Sequence, residues 1–317
     1  MMAARKVNSG LTFKATMVQV SVPASSANIG PGFDSFGLAL EIRDRYAAQV
    51  LDEPNFDVDV SGEGASEIKK DAKNLVIKSM LRGFEHMGAK PRGIALRALN
   101  SIPHGRGLGS SASAIVGGLV LARSLVLTGE QYMSDEDLIT LATEIEGHPD
   151  NVAAAYYGGA TIAWIEKAIG SDGEVKNFGR AVSLKVDDRI KALLLIPENQ
   201  LATAKARKLL PESISHQDAV LNSSRSALLV HALAERPDLL FTATEDLLHQ
   251  SYRQSAMPKT IALVEKLRGA GLAAVVSGAG PSVMVLYTNN NEEIDQIPSL
   301  ATGFNSMKLE IAKTGAQ

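Results

Sequence analysis

The stretch PHGRGLGSSASA, Pro103–Ala114, decides how the chain is read. Gly105, Gly107 and Gly109 alternate, and Ser110, Ser111 and Ser113 then open an apolar run that reads as helix to about Leu127. Glycine tolerates positive φ and lets the backbone approach a ligand closely. The first turn of a helix carries unpaired N–H groups and the positive end of the macrodipole. A glycine loop feeding such a helix is an anion site, and phosphate is its commonest occupant. The serines add hydroxyls for phosphate oxygens or a magnesium ion. The chain has no GxxxxGK[ST] and no Gly-Lys pair, so this is not a Walker loop. The same residues also describe a plain start of a helix with serine as its N-cap.

Upstream, Val18–Val22 alternates and ends at Pro23, as a first strand would. PASSANIGPGFDSFGLAL, Pro23–Leu40, is too rich in Gly, Pro and Ser for regular structure and reads as a loop between strands. It carries Asn28 and Asp34, polar groups of the kind that ligand-binding loops present. Tyr46–Leu51, Phe56–Val60 and Gly93–Leu99 read as strands, and Asn74–Met87 has helical spacing.

Downstream, Asp135–Glu146 reads as a helix with Ser134 as its N-cap. It runs into EGHPDNV, where Glu146, His148, Asp150 and Asn151 crowd together. Carboxylate oxygens are what magnesium takes, alongside phosphate and water. The bland alternative is a helix break with an Asp cap. Ala160–Trp164 is a strand, and the polar segment Glu166–Gly179 is the candidate boundary between halves. Ile190–Ile196 is continuously apolar, as in a strand buried on both faces.

Thr203–Leu210 is a short helix with Thr203 and Arg207 one turn apart; Gln217–Leu233 and Leu239–Gln250 read as amphipathic helices. Tyr252 and Arg253 fall on a helix end or loop, and each arginine alone reads as a solvated residue. A helix at Pro258–Arg268 and a strand at Ala273–Val276 lead to SGAGPSVMVLY, Ser277–Tyr287, which alone is a tight hairpin.

Composition narrows the class. At 317 residues the chain holds two domains or one large one, and 45% apolar with 21% charged residues suits a soluble globular protein. A net charge of −3 gives no general attraction to nucleic acid or anionic membrane. The absence of cysteine excludes disulfides and thiolate chemistry and fits a cytoplasmic location. Six histidines form no HExxH pattern, and the run Ala112–Leu127, broken by Arg123 and Ser124, falls short of a membrane span. Residues 1–16 carry Arg5, Lys6 and Lys14 without an apolar core, so they read as an irregular beginning or an expression remnant, not as a signal peptide.

Taken together and in order, PASSANIGPGFDSFGLAL, PHGRGLGSSASA and SGAGPSVMVL resemble the motifs of the GHMP small-molecule kinase superfamily. EGHPDNV, with ATAKAR (residues 202–207) and QSYR (residues 250–253), is similar to its homoserine kinase branch. The likeness runs from Val18 to Tyr287. It implies an α+β fold of two domains: residues 17–168 an ATP-binding, ribosomal-S5-like unit with a left-handed βαβ crossover, and residues 169–317 a ferredoxin-like sandwich. The implied reaction is transfer of phosphate from ATP to the hydroxyl of L-homoserine, in a cleft between them.

The resemblance also distributes roles. Pro103, His104, Gly105, Arg106, Gly107, Leu108, Gly109, Ser110, Ser111, Ala112 and Ser113 would bind ATP, with amides from Gly107 to Ser111 around the phosphates. Ser111 and Glu146 would hold Mg²⁺, with Ser110 and Glu144 as second choices. Arg207, Arg253 and Thr203 suit the carboxylate end of the substrate; Asn28, Asp34 and Asp150 suit its ammonium and hydroxyl ends. Asn151, Asp150 and His148 would stand at the reacting oxygen, Asp150 either as base or as binder.

A homodimer is expected, with neither nucleic acid nor membrane as partner. Other GHMP kinases of the mevalonate type, and a catalytically silent nucleotide-binding member, are the alternatives. Ala154 stands where relatives often have proline, a departure that removes no catalytic group but would loosen a turn.

Overall fold

Alternation between two buried faces organises the molecule, which is described by a computed structural model covering residues 11–169, 173–288 and 292–317. The first layer is a sheet of β1 (Val18–Asn28), β2 (Gly32–Leu51), β3 (Phe56–Gly62), β4 (Gly93–Asn100), β5 (Ala160–Ile169) and β6 (Val175–Leu184). Its order is β3-β4-β2-β5-β6, with β1 also paired to β2. Helix α1 (Leu75–Met87) connects β3 to β4, the parallel pair of the expected βαβ unit. Helices α2 (Ser110–Leu125), α3 (Asp135–Glu146) and α4 (Asp150–Tyr157) follow β4. Val76, Ile77, Met80 and Phe84 of α1 pack with Ile115, Val116 and Leu119 of α2 against this sheet's apolar face.

The second sheet contains β7 (Ile190–Pro197), β8 (Ala273–Val276), β9 (Val283–Thr288) and β10 (Phe304–Glu310), in the order β10-β7-β9-β8 with every pair antiparallel. That order, with a helical connection after β7 and a hairpin joining β8 to β9, is the ferredoxin-like arrangement. Its helices are α5 (Thr203–Arg207), α6 (His216–Ala234), α7 (Leu240–Ala243), α8 (Pro258–Gly269) and α9 (Ile297–Leu300). Leu193 and Leu195 of β7 face the core with α8, while Ala192, Leu194 and Ile196 face a core shared with Ile29, Leu38 and Leu40 of the first layer. Both faces of β7 are therefore dry, as its unbroken apolar run requires. The two layers meet through that shared core.

Several local expectations change. Pro23–Leu40 is mostly strand: β1 continues through Pro23 to Asn28, and β2 starts at Gly32. Register shifts at Pro23/Ala24 and Ala27/Asn28 absorb the residues that argued for a loop. The polar segment Glu166–Gly179 falls largely in the β5–β6 hairpin of the first sheet, with its three central positions, 170–172, outside the described residues. A division between residues 168 and 169 would cut β5, and the sheets part between Leu184 and Ile190.

Leu239–Gln250 is not one helix. α7 ends at Ala243, and the Asp246 carboxylate then accepts the N–H groups of Leu248, His249 and Gln250 to make a turn. Ala154 lies inside α4, where alanine suits the helix, so no turn is loosened. The irregular beginning lies outside the described residues at 1–10, whereas Phe13 bridges Val126 and packs edge-on to Phe84. No helix among the described residues is long and apolar enough to cross a membrane.

One buried carboxylate ties the sheet to the glycine loop. Asp44 of β2 accepts the N–H groups of Ser101 and Ile102 (2.7 and 3.0 Å) at the loop's beginning. Its other oxygen meets the hydroxyls of Tyr46 (2.9 Å) and Ser113 (3.1 Å), the latter in the first turn of α2. Burial raises the Asp44 pKa while these donors oppose the rise. Replacement by alanine strands several buried donors, each costing about 1–3 kcal/mol. Asp44→Ala should therefore lower the unfolding free energy in urea by about 3 kcal/mol, far more than Arg97→Ala at the exposed Arg97–Asp57 pair. Equal effects would show that the carboxylate does not organise this region.

Candidate functional site

The N-terminus of α2 has no side-chain cap. Its N-cap is Gly109, in the left-handed region at φ +68°, and among the described residues no side chain caps the backbone N–H groups of its first turn. The contrast with α3 is direct, because there Ser134 and Asp137 form a complete capping box. The reading of Ser110 as an ordinary N-cap is thereby set aside, and the first-turn N–H groups of α2 remain available to an anion. Two glycines are required by close approach as well as by φ. A Cβ on Gly107 (φ +71°) would lie 2.1 Å from the Ser277 carbonyl oxygen, and one on Gly109 would lie 2.0 Å from Ser25 Oγ.

The three glycine- and serine-rich stretches interlock at this loop. Ser277 Oγ donates to the Gly107 carbonyl (2.7 Å) and lies 2.9 Å from Ser26 Oγ. Asn28 Nδ2 donates to the Gly278 carbonyl (2.9 Å), and its Oδ1 accepts the Asp34 N–H (3.0 Å). Asn28 and Asp34 both have positive φ, at 71° and 55°. The second layer grips the turn between β1 and β2: His249 Nε2 contacts the Gly30 carbonyl (2.9 Å), while Asn222 and Ser226 donate to the Pro31 carbonyl (2.9 Å each).

Together these elements enclose a cleft of about 160 Å³. It is lined by Asn28, Asp34, Gly105, Gly107, Leu108, Gly109, Ser110, Ser111, Glu146, His148, Asp150, Asn151, Thr203, Arg207 and Arg253, all singled out in the sequence. Phe33, Leu201 and Gly278 also line it and were not anticipated. Five expected loop residues, His104 among them, stand apart from it. Ala112 and Ser113 are buried beneath the loop, Arg106 donates to the Pro197, Glu198 and His104 carbonyls, and Pro103 is absent from the lining.

His104 instead lines a neighbouring pocket of about 280 Å³ with Val60, Lys73, Asn74, Val76 and Asn100. That pocket shares Ser110 and Ser111 with the cleft, so the glycine loop lies between a largely apolar chamber and a charged one. Apart from the glycine-loop residues, its lining comes from β2, β3, β4, the β3–α1 connection and the first turn of α1, which carry no motif.

EGHPDNV is both a helix break and a cleft wall. Gly147 ends α3 in the left-handed region and Asp150 begins α4, so the bland backbone reading holds. The break nevertheless turns four side chains inward. Ser111 Oγ donates to the Glu146 carboxylate (2.6 and 2.7 Å), and burial raises the Glu146 pKa. Glu144 points away and accepts from Arg82 (3.2 Å), which removes it as a second choice. Asp150 Oδ1 lies 2.6 Å from His148 Nδ1 and accepts the Asn151 N–H at 2.6 Å. Burial alone would lower the His148 pKa, but the Asp150 hydrogen bond and charge raise it. Ser25 Oγ donates to Asn151 Oδ1 (2.8 Å), which fixes the orientation of that amide.

The opposite wall carries the cations. Arg207 pairs bidentately with Asp34 (2.5 and 2.9 Å), a bond that raises the arginine pKa. Arg253 is only 1% exposed and gives one N–H to the Gly278 carbonyl (3.0 Å). Among the described residues its Nε has no hydrogen-bond partner, and burial pulls its pKa down to about 10. An arginine that taken alone reads as solvated, and that the resemblance assigns to the substrate carboxylate, is thus the largest fully buried side chain among the described residues.

Two oxygen-rich places could hold a cation. Asp34, His148 and Asp150 offer ligand atoms within 4.8 Å of one another, but Asp34 is engaged by Arg207 and Asp150 by His148. Glu146 and Ser111 offer oxygen alone, beside the helix N-terminus, which suits a hard divalent ion beside phosphate.

Comparison with known proteins gives consistent relatives. The GHMP kinases N terminal domain family model matches residues 74–159, and the GHMP kinases C terminal model matches residues 224–299. The chain is 46% identical to a homoserine kinase from Streptomyces coelicolor over 97% of this chain and 96% of that protein. It is 49% identical to one from Leifsonia xyli subsp. xyli over 90% and 85%. Among solved structures, a homoserine kinase from Cytophaga hutchinsonii superposes with a TM-score of 0.76 at 26% identity, covering 97% of this chain and 99% of that one.

The close approach at Gly107 can be tested directly. Gly107→Ala should weaken ATP binding, measured by calorimetry, at least roughly tenfold by displacing the loop from Ser277. Unchanged affinity would place the phosphates elsewhere.

Proposed function

Because the chain belongs to the GHMP kinases and, within them, to the homoserine kinases, we propose that its cleft transfers the γ-phosphoryl group of ATP to the hydroxyl of L-homoserine. The products are ADP and O-phospho-L-homoserine, a step towards threonine. One observation carries the reading beyond the family. A wall holding Asp34, Arg207 and buried Arg253 faces Asp150, Asn151 and the uncapped N-terminus of α2 across a single cleft. That arrangement supplies opposite charges for a zwitterionic amino acid and an anion site for the phosphates within reach of its hydroxyl.

In the proposed complex, the amides of Gly107 to Ser111 receive the phosphates, and the chamber lined by Val60, Val76, Asn100 and His104 takes the adenosine end. The substrate carboxylate displaces Asp34 from Arg207 and bonds to Arg207 and Arg253, while the released Asp34 carboxylate takes the ammonium group. Asn28 has both ends of its amide engaged and acts by holding the turn that presents Asp34. Thr203 borders the carboxylate end. Glu146 and Ser111 would hold Mg²⁺, which when bound neutralises charge on the phosphate oxygens.

Asp150 orients the acceptor hydroxyl, with His148 and the Asn151 N–H holding its Oδ1 in place. Asn151, locked by Ser25 and with its Nδ2 also 3.5 Å from Asp150 Oδ1, directs an amide N–H towards the charge that develops on the transferring group. Such a site works by positioning and charge stabilisation more than by covalent participation. A homodimeric, cytoplasmic enzyme is part of the same reading, and light scattering measures the subunit number.

A coupled assay of ADP release with L-homoserine, D-homoserine, mevalonate and galactose tests the substrate. Turnover should be confined to L-homoserine, cease in EDTA and return with Mg²⁺; preference for mevalonate or galactose would discard the reading. Arg253→Ala should raise KM for L-homoserine more than about tenfold with little change in KM for ATP. Asn151→Ala should lower kcat by roughly 10²-fold, and an unchanged kcat would remove Asn151 from the transition state.

A further inference from the structure

The two guanidiniums that face the cleft share one aromatic ring. Arg207 Cζ lies 5.4 Å from the centroid of Phe33 and over its ring, and Arg253 Cζ lies over it at 5.7 Å. Both distances are within the range at which a ring's negative face attracts a cation, an attraction that grows when the cation is desolvated. Arg253 is desolvated. No carboxylate of the described residues lies within ion-pair distance of it, and Asp246, a nearby anion, accepts from the N–H groups of Leu248, His249 and Gln250. Arg207 and Arg253 also repel each other. Asp246 and Asp34 offset part of that repulsion from a distance, and the Phe33 ring does so in direct contact with both guanidiniums.

The ring is itself held. Phe33 stacks on His249 with centroids 5.3 Å apart and planes 29° apart. His249 is fully buried, and its Nε2–H donates to the Gly30 carbonyl, three residues before Phe33 in the same turn. Burial keeps this imidazole neutral, so it adds no third positive charge beside the ring. The Pro31 carbonyl, bonded to Asn222 and Ser226, fixes the turn from the other side.

We propose that Phe33 is a positioning and specificity-determining residue for the acceptor: its ring, stacked on His249, holds Arg207 and Arg253 together as one receptor for an α-carboxylate. The proposal rests on the homoserine kinase reading. When the substrate carboxylate replaces Asp34 on Arg207, the two guanidiniums must converge on one anion, and the shared ring has already brought them together. Phe33 acts through the arginines, so its contribution belongs to acceptor binding and not to the nucleotide or the chemical step.

The test varies the face of the ring at constant shape. Mono-, di- and trifluorinated phenylalanine placed at position 33 successively weaken the negative face. KM for L-homoserine should rise at each step, to about tenfold across the series, while kcat and KM for ATP stay within about twofold. Phe33→Leu should show the same rise, and Phe33→Tyr, which keeps the aromatic face, should restore KM. A flat fluorination series in an active enzyme would overturn the proposal, as would KM for ATP and the melting temperature changing in step with KM for L-homoserine. If the unmodified protein does not phosphorylate L-homoserine at all, the substrate reading fails and the proposal falls with it.

Discussion

The contact between Ser277 and Gly107 is the constraint on which the rest of the site depends. A hydroxyl from the β8–β9 turn bonds to the carbonyl of a glycine that has no room for a side chain. This contact sets the glycine loop against the second layer, while Asp44 fixes the loop's beginning and the first turn of α2 against the first. The loop therefore cannot move independently of either layer. Its donors are held in place before any anion arrives, which is the condition for electrostatic stabilisation without reorganisation.

The same closeness explains the composition of the motifs. Ser25, Ser26, Ser277 and Ser282 are all buried, and Gly30, Gly107 and Gly109 each meet another backbone or a serine at the place a Cβ would occupy. Small residues let three chain segments cross, and the Ser277 hydroxyl satisfies the Gly107 carbonyl that the crossing leaves inside. A stretch rich in Gly, Pro and Ser is commonly a surface loop. Here the same composition marks the most crowded part of the interior, so Pro23–Leu40 became strand and turn instead of an extended loop.

What was legible in the sequence follows from how local the cause was. The N-cap at Ser134 and the apolar period of α1 act within a turn or two and are readable. The residues around the cleft were found because they sit in short, chemically unusual clusters. The Asp34–Arg207 pair, separated by 173 positions, and the burial of Arg253 depend on how the two layers meet, which neither local sequence encodes. The chamber proposed for adenosine is not legible in the sequence because Val60, Val76 and Asn100 are ordinary strand and helix residues whose grouping arises only in the fold. Ser113 was assigned to phosphate because it shares a motif with Ser111. A helical step of two residues points it to the opposite side, towards Asp44.

EGHPDNV shows why a structural and a functional reading of one stretch need not compete. Gly147 stops α3 and Asp150 begins α4, so the residues are those of a helix break. A break between two helices also exposes side chains in directions that a continuous helix would spread around its axis. Glu146 then meets Ser111 from the glycine loop, while Asn151 meets Ser25 from β1. Because each partner comes from an element already fixed by the Ser277–Gly107 contact or its neighbours, the break inherits their geometry. The carboxylate that suits a cation, the amide that suits developing negative charge and the glycine loop are thus set by one packing arrangement. Loosening that arrangement at any of its three strands of chain would disturb all of them together.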